Sequence, residues 1–147
     1  MNLKLGGHPV HPLLVHFPIA LWTMGAAADV TGWALPQPWW WQISFWSQAL
    51  GVASGALAML AGVLDFAAMP RHHAGRDSAI SHMLVMCTAW LLFLVSLALR
   101  GVPQGSGPSI WAVATAIAGF ATMLWGGWLG GQLVYRFGVG VVRPLSQ

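Results

Sequence analysis

The chain has 147 residues, of which 6% are charged and 57% hydrophobic, and its mean hydropathy is +0.68. A soluble domain carries roughly 25% charged residues because its outside must face water, so this composition excludes an ordinary soluble domain and points to lipid as the surroundings. The net charge of +3 comes from six scattered basic residues. They form no stripe able to track phosphates, which argues against nucleic-acid binding.

Met1 to Val10 holds one Lys and no apolar stretch leading to a small-residue cleavage site, so it does not read as a removable signal peptide. Four apolar stretches then follow, over 13–35, 43–69, 80–99 and 110–135. Each approaches or exceeds the roughly 20 helical residues that cross a bilayer's hydrocarbon. Pro36-Gln37-Pro38 breaks the first from the second, because proline removes a backbone donor and restricts the residue before it. The segment from Pro70 to Ser78 separates the second and third, with Asp77 or Ser78 expected to cap the third helix. A glycine, proline and serine loop ends at Ser109, the expected cap of the fourth. The sequence therefore predicts an all-α integral membrane four-helix bundle, one transmembrane domain over 1–147, with both termini on the same side. No internal repeat is evident.

Lys4, Arg71, Arg76, Arg136 and Arg143 fall at the end that carries both termini and the middle loop, and only Arg100 falls at the other. The positive-inside rule then places both termini in the cytoplasm of a multi-pass protein of the bacterial inner (plasma) membrane. Trp33, Trp39, Trp40, Trp41, Trp46 and Trp111 form a belt at the opposite face, where an indole is buried while its N–H stays wet. The only cysteine, Cys87, lies in an apolar run, and no disulfide or Cys-based metal site is available. Gly51, Gly55, Ala58 and Gly62 make a small-residue stripe on the second helix, continued by Asp65. Gly126, Gly127, Gly130 and Gly131 make overlapping GxxxG patterns on the fourth. Small residues let helix backbones approach closely in lipid; contact with a second copy, giving a homodimer, or room for a flat cofactor are the other uses of such a stripe.

All six histidines, His8, His11, His16, His72, His73 and His82, lie toward the cytoplasmic end. Counting from the predicted helix ends, His16, Asp65 and His82 each lie about 6–7 Å inside the bundle on three different helices. Ionisable residues within membrane helices are costly and mark candidate sites. A b-type haem needs two neutral imidazoles from different helices at one depth, and His16 and His82 meet that condition. Asp65 is placed to accept the outer N–H of one imidazole, and Arg71, Arg76 and Arg136 to pair with the propionates. The alternative is a non-haem zinc, iron or copper ion held by His11, His16, Asp65 and His82. A third reading is a buried hydrogen-bonded network that fixes the bundle register.

The opening Gly7-His8-Pro9-Val10-His11-Pro12-Leu13-Leu14-Val15-His16-Phe17-Pro18-Ile19 resembles that of a widespread bacterial membrane family, domain of unknown function 2231. Gly62-Val63-Leu64-Asp65-Phe66, His82-Met83-Leu84 and the closing segment from Gly130 to Gly140 resemble its other marks. Carried over by position, the marks fall on His8, His11, His16, Asp65, His82 and Tyr135. Fusion of some relatives to cytochrome c or Rieske iron–sulfur domains implies membrane redox work. The resemblance thus favours haem b and electron transfer, with quinone or a c-type cytochrome or Rieske centre as partner. Whether the protein is itself an oxidoreductase stays open, and with no histidine near the external face at most one bis-histidine haem fits.

Overall fold

A computed structural model describes residues 4–6, 8–101 and 107–141. Gly7, Arg143 and the side chains of Lys4 and His8 lie outside what it describes. Lys4–Leu5 (β1) and His8–Pro9 (β2) pair as a minimal antiparallel ladder. Five helices follow: α1 Val10–Leu14, α2 His16–Ala34, α3 Pro38–Ala67, α4 Arg76–Arg100 and α5 Ile110–Tyr135. The first two form a single span interrupted at Val15. Pro18 explains the interruption, since it has no N–H to return to the carbonyl of Leu14.

Each of the four spans is long and apolar enough to cross a membrane. The chain is thus the expected all-α bundle, with helix ends adjusted by local chemistry. α3 begins at Pro38, because proline suits a first helical position whose N–H has no partner. It ends before Pro70. α4 begins at Arg76 after an N-cap at Gly75, so neither Asp77 nor Ser78 is the cap. Asp77 lies instead in the first turn, where a carboxylate complements the helix dipole. Ser109 does cap α5, its hydroxyl accepting from Ala112 N–H at 3.2 Å. Gly101 ends α4 with φ +59°, a backbone region that disfavours any side chain.

Successive spans run antiparallel. In the first hairpin, Trp22 of α2 packs on Gly51 and Gly55 of α3, and Trp41 packs on Gly32. In the second, Phe93 of α4 packs on Gly119 of α5, and the Ser96 hydroxyl donates to Ala112 O at 2.7 Å. Contact within each hairpin is closer than contact between them. Trp90 Nε1 of α4 donates to Val52 O of α3 at 2.9 Å. At the centre, the Trp22 and Phe93 rings stack with centroids 4.6 Å apart and planes within 8°. Large side chains such as Leu57, Leu60, Leu84 and Leu124 are more than half exposed. In water that outside would aggregate; against lipid it is the expected surface. Of the belt indoles, Trp33, Trp39, Trp46 and Trp111 are exposed, and Trp40 and Trp41 half-buried.

Candidate functional site

Two imidazoles enter the bundle in matching ways. His11, on the short α1, donates from Nδ1 to Ala58 O of α3 at 2.8 Å. His82, on α4, donates from Nδ1 to Gly126 O of α5 at the same distance. A carbonyl oxygen only accepts, so each ring must carry its proton on Nδ1. That fixes the tautomer and leaves the Nε2 lone pair free to bind. One turn beyond each acceptor stands a glycine beneath the ring. A Cβ on Gly62 would lie 3.0 Å from His11 Cε1, and one on Gly130 would lie 3.1 Å from His82 Cε1. These glycines leave room for each ring against its own hairpin.

The depths agree. Ala58 is seven residues along α3 from Gly51, and Gly126 is seven along α5 from Gly119. At 1.5 Å per residue both rings are therefore held about 10 Å from the Trp22–Phe93 stack.

The other expected site residues are placed differently. His16 is exposed, its Nδ1 3.4 Å from Leu13 O, whereas His11 reaches the neighbouring helix. Five residues beyond His11 on the same span, it is turned about 140° away from it at 3.6 residues per turn. Asp65 does not accept the outer N–H of an imidazole: backbone carbonyls take both. Its Oδ1 is buried with no hydrogen-bond partner. The quartet His11, His16, Asp65 and His82 does not draw together, and among the described residues no three His, Cys, Asp or Glu side chains converge as a metal ion requires. Arg76 is engaged already, donating to Met69 O at 3.1 Å and lying over the Phe66 ring at 4.2 Å. Arg71 is exposed and makes no ion pair among the described residues. Tyr135 and Arg136 are exposed and, with Trp128, Gly131 and Gln132, line an open groove of about 560 Å³ on α5. His72 is exposed, and His73 Nδ1 accepts from Gly75 N–H at 3.0 Å, shaping the loop.

At the far end lies a buried polar cluster. Arg100 grips Asp29 through two N–H···O bonds of 2.9 and 2.8 Å, with side-chain exposures of 3% and 0%. Arg100 also donates to Ser44 and Ser96, and Gln48 Nε2 donates to Asp29 at 3.1 Å and to Ser44 at 2.9 Å. Gly25 makes room for Gln48. Opposite charges on two different spans were the available signal. The serines and the glutamine carried none, because polar residues at single helical positions look alike from sequence.

Four apolar spans, two locked imidazoles and a buried ion pair define an integral membrane helical bundle with an interior polar site at each end. Residues 7–143 match the family model described as a predicted membrane protein, domain of unknown function 2231, and the chain belongs to that family. No curated protein and no solved structure matches it.

Proposed function

We propose that the protein is a b-type, cytochrome-like membrane electron carrier that holds one haem between His11 and His82. The observation that carries this reading is the pair of imidazoles on opposing hairpins, each with Nδ1–H tied to a carbonyl and Nε2 unbonded. The residues fit the group: Gly62 and Gly130 leave room for the rings, where a Cβ at either would displace an imidazole. Bound haem would supply a one-electron iron couple. The chain's own part is to fix two neutral ligands at one depth and to exclude water with apolar helices. The carbonyl acceptors make the imidazoles better donors, though less so than a carboxylate would. Arg71 is the guanidinium available to a propionate.

Quinone is the partner we assign to the groove on α5. The Gln132 amide and the Arg136 guanidinium are donors suited to a quinone carbonyl, and Trp128 offers a face for its ring. Orientation follows the positive-inside rule, with both termini in the cytoplasm of a bacterial inner membrane.

The test is an absorption spectrum of protein purified from a haem-replete host. A Soret band should appear, should be lost in His11→Ala and in His82→Ala, and should persist in His16→Ala. A protein that carries zinc, iron or copper without a Soret band would move the function to the non-haem alternative. Wild-type protein with neither would overturn both.

A further inference from the structure

Three side-chain pairs, two of them in contact between the hairpins, share one spacing. His11 and His82, Trp22 and Phe93, and Asp29 and Arg100 are each 71 residues apart. Their supports on the second helix of each hairpin share another. Gly51 under Trp22 and Gly119 under Phe93 are 68 apart, as are the acceptors Ala58 and Gly126 and the ring-bearing Gly62 and Gly130. Two contacts and one matched pair of imidazoles at constant spacing, backed by three supports at constant spacing, are what a repeated unit produces when its copies pack face to face. Equivalent residues can touch each other only on a two-fold axis, because that operation alone exchanges the copies and returns a point to itself. α2 and α4 run in the same direction, so the axis lies along the helices and, in a membrane, along its normal.

We infer that the chain is a tandem duplication of a helical hairpin folded about a quasi-two-fold axis, with His11 and His82 as equivalent halves of one site on that axis. The second clause rests on the haem proposed above; the duplication rests on packing alone. Equivalence explains why the α1 histidine that matters is the one spaced like His82, and why His16, whose equivalent is Cys87, turns outward. It also identifies where the copies have diverged. Asp29 and Arg100 are one position with opposite charges. Ser44 and Gln48 correspond to Ala112 and Ala116, and Gly25 to Ser96. One copy has kept a carboxylate with its glutamine, and the other a guanidinium with its serine.

The experiment exchanges the network across the axis. One variant carries Asp29→Arg and Arg100→Asp alone. A second adds Gly25→Ser, Ser96→Gly, Ser44→Ala, Ala112→Ser, Gln48→Ala and Ala116→Gln. If the positions are equivalent, the full exchange should recover most of the melting temperature that the bare swap loses. A full exchange no more stable than the bare swap overturns the duplication. If neither variant folds, spin-label distances in otherwise intact chains decide, with Cys87→Ser as background. Ala27 to Thr122 and Ala98 to Ser54 are symmetry-related spans, and their distances should agree within about one helical turn, about 5 Å. A larger difference refutes the axis. Haem content is read separately, so a chain without haem that passes these tests keeps the duplication and loses only the ligand assignment.

Discussion

Replacing Arg100 with Met tests how far the far-end ion pair is sealed from water. In the structure Asp29 has no exposed surface and receives two bonds from Arg100 and one from Gln48. Arg100→Met keeps most of the side-chain volume but leaves the carboxylate with Gln48 alone and removes the donor to Ser44 and Ser96. Breaking a buried pair on one side costs about 3–5 kcal/mol, because an uncompensated charge remains. For a chain of this size that is a fall in melting temperature of roughly 6–20 °C. The double variant Asp29→Leu/Arg100→Met removes both charges together and should lie within about 1 kcal/mol of wild type. It should therefore be more stable than Arg100→Met itself. Thermal unfolding in detergent, followed by helical circular dichroism, reads both. A loss below about 1 kcal/mol in the single variant is the behaviour of a hydrated surface pair and would refute the burial on which the reasoning depends.

Gly62→Ala and Gly130→Ala should each displace an imidazole by a few tenths of an ångström; alanine's helix propensity contributes about 1 kcal/mol in the opposite direction. Stability should therefore change little while haem content falls, and full haem content would contradict the role given to these glycines. Trp22→Ala, which removes the stack on Phe93 and empties the cradle of Gly51 and Gly55, should cost about 3–5 kcal/mol, read as a loss of melting temperature at unchanged helix content. Gln132→Ala should slow reduction by a quinol while leaving the Soret band in place; an unchanged rate would remove the groove from the electron path. A reporter enzyme active only outside the cytoplasm, fused after Gln147, should be silent, and activity would reverse the assignment of sides.

The four spans were legible because apolar length and proline breaks act locally. The helix ends were less so, since Gly75 rather than Asp77 begins α4 and backbone geometry alone decides between them. His82 and the glycine stripes were legible as features of one end, but the hold of a neighbouring backbone carbonyl on His11 rather than on His16 was not. His11 and His16 both look like N-terminal histidines, and their different phases around the span choose between them. The carbonyls of Ala58 and Gly126 leave no trace in the sequence, because any residue supplies one. The repeat escaped for a related reason. It conserves places rather than side chains: His11, Gly51 and Gly62 keep their identity in the second copy, whereas tryptophan becomes phenylalanine and aspartate becomes arginine. An aspartate paired with an arginine looks like divergence in an alignment and like complementarity in space.

That pairing bears on how the chain enters its membrane. Among the described residues Arg100 is the only basic one at its end of the bundle, and Asp29 neutralises it in a contact closed to water. The two ends thus differ by more than their basic residues alone suggest, since the single opposing charge is cancelled. Asp29 lies on a span made before the one that ends in Arg100, so the carboxylate precedes the guanidinium in synthesis. The same contact ties the second hairpin to the first, because its two charges come from different hairpins.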